Sequence, residues 1–366
     1  MSVERINSEG KVNLIKKILS LILILLSFAF SQTAIAPSVG DGTESNPYQI
    51  ATLENLYWIS ADSSNWDKHF IQIADIDASE TENWFDGKGW LPIATTSSRE
   101  YFTGSYNGKN NIICGLFINR SDEFNIGLFS HINHALIENI SLNNMNIAAA
   151  AAVGGIVGTS WSSILRNCYT SGMVTYVKKE HSLEGDQIGG MIGGSIGTSI
   201  DSCSSSASVN GGICTGGLIG YTSSDSVINC SSYGNVDGLN MVGGLVGTSF
   251  SFISESHNNA TVVGKSSVGG IAGMSWGWDG ENYIRRSRIF KCYNKGKITG
   301  INKIGGIVGW VYGAEIKNCY NLAKISGSRA GGLVGEMSSV IMGNSYNAGD
   351  ISGGSSGLIA YQDYPK

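Results

Sequence analysis

Val242-Gly-Gly-Leu-Val-Gly247 is one copy of a phrase that recurs along most of this 366-residue chain. The other copies keep the paired glycines and the apolar residues around them; they begin at Val153, Ile188, Thr215, Val268, Ile304 and Ala330, with looser relatives at Ile126 and Ser356. The second glycines fall 25 to 36 residues apart. A period of this size indicates one structural unit stacked on copies of itself, each burying its apolar face against its neighbours.

Each period divides into three short segments that are typical of strands. In one copy these are residues 241–247, 252–256 and 260–264, rich in Val, Ile and Phe and separated by Gly, Asn, Ser and Thr. Strands of this length bounded by turn residues fit one coil of a parallel β-helix. Helical repeats are excluded, because helices of ten residues do not fit around these glycines. The sequence therefore predicts an all-β solenoid.

Positions within a coil can be assigned by counting from the second glycine. The tenth residue is apolar and predicted to point inward, as at Leu165 and Val227. Two residues later comes a polar corner, where Asn tolerates a left-handed backbone; it holds Asn167, Ser202, Asn229, Asn318 and Asn344. Leu245 and Val246 lie on opposite faces of an ideal strand, so either this strand is covered on both sides or a glycine bends it.

The slot after the corner carries most of the cysteines. It holds Cys168, Cys203, Cys230, Cys292 and Cys319, with His257 and Ser345 in the remaining repeats. Stacked neighbours lie about 4.8 Å apart, which permits a disulfide by Cα separation. Three readings stay open: a buried ladder of free thiols, one or two disulfides, or a metal-thiolate ladder that includes His257.

Residues 1–36 are predicted to be a signal peptide. Lys16 and Lys17 precede the apolar run of residues 18–30, and Ala34-Ile-Ala36 resembles a cleavage site. The uncleaved alternative is an N-terminal anchor. The expected localisation is therefore secreted or cell-surface, with membrane contact only in transit. The net charge of −5 and the lack of a local Lys/Arg run argue against a nucleic-acid partner.

Residues 37–125 are predicted to form an N-terminal cap with the first irregular coils. Thr52 suits a helix N-cap ahead of a short helical pattern, and such a helix would cover an exposed sheet edge. Residues 126–366 carry the repeats, and the last coil is incomplete. This end indicates a fragment of a longer protein, or an end that pairs with another copy.

The repeated Gly-Gly-Leu-Val-Gly phrase is similar to the GLUG repeat of bacterial secreted and cell-surface proteins. The resemblance covers about residues 126–360, and the segments Gly40–Ile50 and Phe102–Gly108 look like the opening that precedes such repeats. It implies a right-handed parallel β-helix and a role in surface attachment or as a stalk. It brings no catalytic residues and no cofactor.

The two longest coils predict loops, at residues 176–186 and 276–286. The second loop places aromatic and acidic residues together, which suits stacking on sugar rings and bonding to hydroxyls; the candidate glycan contacts are Trp276, Trp278, Asp279, Glu281 and Tyr283. The alternative is that these aromatics only cover the neighbouring coil. Surface glycans, or proteins of a host or neighbouring cell, are the expected partners.

Catalysis is the less favoured function. A β-helix lyase or hydrolase needs converging carboxylates or a calcium site. The carboxylates that come closest to this pattern are Asp75 and Asp77, and Asp201 with Glu255 in one slot of different coils. The histidines show no metal-ligand spacing. The chain is therefore predicted to be a non-enzymatic adhesin or stalk without cofactor or metal; a β-helix polysaccharide enzyme or a non-catalytic part of a surface protease is the alternative.

Overall fold

The computed structural model describes residues 13, 15–18, 32–95, 100–177, 186–277, 287–353 and 357–363. The chain forms an all-β parallel solenoid of about nine turns, as the sequence predicted. Two sheets run along its axis, and every pairing between their strands is parallel. Among the described residues, no helix has the length and apolar character that a membrane span requires.

The first sheet contains 18 strands. They are Tyr48–Ile50, His69–Gln72, Ser105–Asn107, Phe129–Asn133, Leu136–Glu138, Val157–Trp161, Ile164–Arg166, Ile192–Ile196, Ser199–Asp201, Ile219–Ile228, Val246–Ser254, Ala272–Trp276, Arg288–Phe290, Val308–Tyr312, Glu315–Lys317, Val334–Ser338, Ile341–Gly343 and Ile359–Asp363.

The second sheet closes around the rest of each turn. Its strands are Ile76–Asp77, Ile112–Cys114, Phe117–Ile126, Ser141–Val153, Tyr169–Tyr176, Ile188–Gly189, Ser204–Ser205, Ser208–Asn210, Ile213–Gly216, Ser231–Ser232, Asn235–Asp237, Asn240–Gly243, His257–Asn258, Thr261–Val263, Ser266–Gly269, Tyr293–Asn294, Ile298–Thr299, Asn302–Gly305, Tyr320–Asn321, Ile325–Ser326, Ala330–Gly331, Tyr346–Asn347 and Ile351–Ser352.

Three short helical segments lie near the N-terminal end: Leu53–Ala61, Ser63–Asn65 and Ser79–Gly87. The first begins as predicted, because the Thr52 hydroxyl accepts a hydrogen bond from the Asn55 N–H at 3.3 Å. Its buried face joins the core through Leu56 and Ile59. In-register stacking of the first sheet extends back to Tyr48, which pairs with Phe70.

The paired glycines mark the bend where the chain passes from the second sheet to the first. One strand ends at Gly243 and the next begins at Val246, and both Leu245 and Val246 are fully buried in the main core. A Cβ on Gly243 would lie only 1.8 Å from the Val246 carbonyl oxygen. Of the two orientations that the sequence left open, the glycine bend is therefore the observed one.

The corner prediction is also confirmed. Asn167, Ser202, Asn229, Asn318 and Asn344 all have φ between 48° and 56°. This is the left-handed region, which Asn tolerates better than most residues. Stacking between corners occurs at Asn167, whose Nδ2 donates to Asn139 Oδ1 at 3.2 Å.

The cysteine row is a ladder of free thiols, and all seven cysteines of the chain are free. Cys168, Cys203, Cys230, Cys292 and Cys319 are buried, and burial raises the pKa of the Cys292 thiol well above its usual range. The assignment of His257 to this row was wrong. Ser256 occupies it, and the Ser256 hydroxyl accepts the Cys230 N–H at 3.0 Å.

The error has a structural cause. The register between Ile219–Ile228 and Val246–Ser254 shifts between Ser223 and Ser226, so the later strand uses one residue fewer before its corner. Glu255 consequently occupies the corner, with φ 51°, and His257 begins the following strand. Counting positions from the second glycine misses this shift. The total length of the coil does not show at which position one residue is missing.

Candidate functional site

The outward side of the first sheet carries a group of aromatic side chains in successive coils. Met274 pairs with Trp310, and Trp276 pairs with Tyr312 one position further along the same outward side. Trp276, Trp310 and Tyr312 are partly or fully exposed on this side, whereas Met274, Ser275 and Val311 are buried. We call Trp276, Trp310 and Tyr312 the tryptophan patch.

The rings of the tryptophan patch meet edge-on or tilted. The Trp276 and Trp310 centroids lie 5.7 Å apart at 76°, and those of Trp276 and Tyr312 lie 5.0 Å apart at 41°. The rings of the patch therefore do not cover one another's faces by parallel stacking. Tyr312 is 36% exposed, and both tryptophans are half-buried. Such rings offer apolar faces together with polar edges.

An ion pair borders the tryptophan patch. Lys303 Nζ lies 4.2 Å from the centroid of Trp310 and 2.7 Å from Glu336 Oε1. Glu336 is the residue that pairs with Trp310 in the next coil. The ammonium group therefore both packs on the indole and is neutralised by the carboxylate, and the pair supplies a donor and an acceptor beside the rings.

Trp276 is the one predicted glycan contact within the described part of the chain. It is the last residue of a strand rather than a loop residue, and its neighbours come from the adjacent coil. Trp278, Asp279, Glu281 and Tyr283 lie outside the described residues. The sequence did not reveal Trp310 and Tyr312 as part of this surface, although they follow their paired residues, Met274 and Trp276, by one coil length.

The carboxylates considered for catalysis have structural partners. Asp75 Oδ1 accepts the Ile112 N–H at 2.7 Å, and Asp77 Oδ1 accepts the Ser79 N–H at 2.9 Å. Asp201 and Glu255 do not share a slot, contrary to the prediction; Asp201 pairs with Ile228, and Glu255 lies at the corner beside Lys291. Within the described ranges, no three His, Cys, Asp or Glu side chains are grouped as metal ligands.

A second aromatic surface lies on the second sheet. The rings of His257, Tyr293, Tyr320 and Tyr346 stack face to face, with centroids 4.8, 5.1 and 5.3 Å apart and interplanar angles of 8° or less. Burial lowers the pKa of His257, and the nearby Lys295 ammonium adds to the effect. We call these four residues the stacked row.

Behind the stacked row runs a buried ladder of asparagines. Asn258 Nδ2 donates to Asn294 Oδ1 at 2.8 Å, Asn294 Nδ2 to Asn321 Oδ1 at 2.7 Å, and Asn321 Nδ2 to Asn347 Oδ1 at 2.7 Å. Each amide also bonds to the backbone two residues ahead. A Cβ on Gly244 would lie 2.2 Å from the Asn258 side chain, so in these later coils the second glycine of each pair leaves space for the asparagine.

A carboxyl group is buried in the earlier coils. Asp225 Oδ1 accepts the Thr198 N–H at 2.7 Å, whereas Oδ2 has no hydrogen-bond partner among the described residues. Burial raises the pKa of Asp225 to about 7. The group lies among buried hydroxyls, including Thr198, Ser195 and Ser251. It faces the interior and is not part of either aromatic surface.

The architecture and its coil-by-coil rows define a β-helical repeat protein. Residues 302–326 match the GLUG motif, so the resemblance to GLUG-repeat proteins is confirmed. This match includes Trp310, Tyr312 and Tyr320, and it therefore overlaps both aromatic surfaces.

Two curated proteins are similar to parts of the chain. Halomucin of Haloquadratum walsbyi is 40% identical over 140 residues, which is 37% of this chain and 2% of halomucin. A protein described as a Gly-rich membrane protein of Evansella cellulosilytica is 37% identical over 131 residues, which is 34% of this chain and 14% of that protein. The matched segments thus span a small part of either relative.

A solved structure has the same kind of fold. It is described as an immunoglobulin A1 protease of Bacteroides ovatus, with a TM-score of 0.53 and 19% identity, covering 73% of this chain and 80% of that chain. At this identity the similarity concerns the fold alone.

Proposed function

We propose that this chain is a non-catalytic segment of a cell-surface repeat protein that contacts glycans through the tryptophan patch. The observation that carries the proposal is the group of ring faces at Trp276, Trp310 and Tyr312, held on rigid strands beside the Lys303–Glu336 pair. Sugar rings have apolar faces and hydroxyl-bearing edges, and this arrangement offers a partner for each.

Surface display is supported by two independent observations. The N-terminal sequence has the order of a basic segment, an apolar run and small residues that is typical of a signal peptide. The similar proteins are named halomucin and a Gly-rich membrane protein. A stacked solenoid also provides a stiff support, because each coil is held by the next through continuous hydrogen bonding and a shared core. Adhesion and spacing are compatible roles for such a rod.

The experiment is a glycan-array screen of the chain, followed by affinity measurements for the glycans it retains. The paired substitution Trp310→Ala with Tyr312→Ala is expected to lower affinity at least tenfold, because truncating an aromatic anchor at the centre of a binding surface costs about 2 kcal/mol or more. The matched control removes two exposed aromatics outside the patch, Phe124→Ala on the second sheet with Tyr233→Ala directly after the strand Ser231–Ser232. Equal losses in both variants, or no glycan bound by the parent chain, would overturn the proposal.

A further inference from the structure

The later coils are rich in basic residues in an otherwise acidic chain. Three of these basic residues form ion pairs, Lys291 with Glu255, Lys303 with Glu336 and Lys317 with Glu315. Residues 287–335 contain eight Lys or Arg residues and one acidic residue, Glu315, whereas the whole chain has a formal net charge of −5. The eight are spread along the sequence, so no linear run reveals them. Stacking of the coils brings three of the lysines together.

These three are Lys295, Lys297 and Lys324. Ile298 pairs with Ile325, which places Lys297 and Lys324 in the same row of adjacent coils. Lys295 precedes Lys297 by two residues on the same outward side, and its Nζ lies 5.0 Å from the Tyr293 ring centroid. All three side chains are exposed, and none forms an ion pair within the described part of the chain.

Like charges in one row of a sheet repel each other, so this arrangement lowers stability in the free protein. An anion between the lysines removes that repulsion. Acidic groups supply it at one end only: Asp350 follows Lys324 in the same row of the next coil, whereas Lys295 and Lys297 have no acidic residue beside them by register. Asp237 lies in the row of Thr299 and Ser326, two coils before Thr299. The surface is therefore complementary to an external anion.

Hydroxyl groups continue the same outward side. Thr299 and Ser326 lie two residues after Lys297 and Lys324 and pair with each other. An open groove of about 580 Å³ adjoins them; its lining is Gly300, Ile301, Ser326, Gly327, Ser328, Ser352 and Gly353. The groove crosses three successive coils and has hydroxyls, glycine backbone and one exposed apolar side chain.

We propose that this lysine groove, defined as Lys295, Lys297, Lys324 and the adjoining groove, binds a linear polysaccharide that carries carboxylates. Lysine ammonium groups bind the carboxylates, while Ser326, Ser328 and Ser352 bind sugar hydroxyls. Lys297 and Lys324 lie in adjacent coils about 4.8 Å apart, and the hydroxyls of Thr299, Ser326 and Ser352 follow one another in three successive coils, which suits a polymer that runs along the solenoid axis. This site is separate from the tryptophan patch and does not depend on it.

The stacked row favours a polysaccharide over a nucleic acid. Tyr293 and Tyr320 each have a parallel ring on both sides, so their faces are occupied by one another. Binding of single-stranded nucleic acid relies on free aromatic faces on which bases stack. What these tyrosines present outward is ring edges, and their hydroxyls suit hydrogen bonds to sugars. The charges of one B-DNA strand also recur about every 3.4 Å along the helix axis, which does not match the spacing of about 4.8 Å between coils.

The test measures binding of the chain to polygalacturonate by titration calorimetry. The parent is expected to bind, and Lys297→Gln with Lys324→Gln is expected to weaken binding at least tenfold. The control, Lys88→Gln with Lys109→Gln, removes the same charge from exposed lysines of the early coils and is expected to bind like the parent. Raising the salt concentration is expected to weaken parent binding and to have little effect on the double variant.

Three further ligands decide the class of the binding partner. Methyl-esterified polygalacturonate keeps the sugar backbone without the charges, and it is expected to bind at least tenfold more weakly. Single-stranded DNA and vesicles containing anionic lipid are expected to bind more weakly than the polyuronate. The proposal is overturned if the ester binds equally well, if DNA or vesicles bind more tightly, if the control loses affinity equally, or if the parent binds no polyuronate. None of these outcomes affects the tryptophan patch, which is tested with substitutions on the other sheet.

Discussion

The earlier and later coils fill the same interior position in different ways. Opposite the second glycine of each pair, the later coils place Asn258, Asn294, Asn321 and Asn347, whereas the two coils before them place Ser205 and Ser232. The asparagines form a continuous ladder in which every amide bonds to its neighbours and to the backbone. The Ser232 hydroxyl has no hydrogen-bond partner among the described residues.

Other buried polar groups follow the same division. The unpartnered side-chain atoms of the described residues include Thr170 Oγ1, Ser195 Oγ, Asp225 Oδ2 and Ser232 Oγ, all in the earlier coils, and only Asn302 Oδ1 in the later ones. A buried polar group without a partner costs about 1–3 kcal/mol. The same repeat unit therefore accommodates either a serine or an asparagine opposite its second glycine. The asparagine ladder lies in the coils that carry both aromatic surfaces.

The largest expected effect comes from interrupting the ladder. Asn294→Ala removes bonds to Asn258, Asn321 and both backbone groups of Gly296, so buried donors and acceptors are left unpaired. We expect unfolding free energy to fall by about 3–5 kcal/mol, measured by guanidinium denaturation. The control Ser232→Ala removes a buried hydroxyl without a partner and is expected to raise stability, by up to about 1–3 kcal/mol, rather than lower it. Similar effects of the two substitutions would contradict the comparison.

The next effect concerns the buried carboxyl of the earlier coils. Because the pKa of Asp225 is raised to about 7 from 3.8, the folded state holds a proton that the unfolded chain releases between these values. Stability from this group is therefore present at low pH and is lost as pH rises from about 4 to about 7. Asp225→Asn keeps an acceptor for the Thr198 N–H and carries no charge, so the variant is expected to be more stable at pH 8 by up to about 4 kcal/mol.

The measurement is the denaturation midpoint of parent and variant at pH 4.5, 6 and 8. The lowered pKa of His257 acts in the opposite direction, since stability from it is lost as pH falls below its ordinary value. Both proteins contain His257, so the difference between them isolates Asp225. Parallel pH profiles for parent and variant would show that Asp225 does not titrate in this range.

The solenoid was predictable because the paired glycines recur once per coil along most of the repeat region. The apolar rows, the asparagine corners and the Thr52 cap follow from local rules about apolar periodicity, Asn and Thr. The bend at the paired glycines did not, because the sequence left two orientations of that strand open. The asparagine ladder was missed, although Tyr-Asn occurs at 293–294, 320–321 and 346–347 with nearly constant spacing. A reading aligned on the second member of each pair would have found it.

The two outward surfaces were harder to predict, because neither is contiguous in sequence. Trp276 was assigned to a loop since it begins the extra residues of a long coil, but strand pairing with Tyr312 keeps it on the sheet. Lys297 and Lys324 become neighbours only once the coils are stacked in register. The one-residue shift before Glu255 further displaced the alignment of His257. Assigning side chains to rows along a solenoid requires the exact register between its strands. The repeat spacing in the sequence gives that register only to within a residue or two.

The smallest expected effect extends the ladder into the earlier coils. Ser232→Asn places an amide opposite Gly217, where the Nδ2 group can donate to Asn258 Oδ1 and the Oδ1 atom can accept the Gly234 N–H, as in the coils that follow. We expect a gain of about 1 kcal/mol, since new bonds replace an unpartnered hydroxyl. The same substitution in an Asn258→Ala background is expected to gain markedly less, and a double-mutant cycle on denaturation midpoints measures the coupling. An equal gain in both backgrounds would mean that the added amide acts on its own, and that the ladder does not propagate from coil to coil.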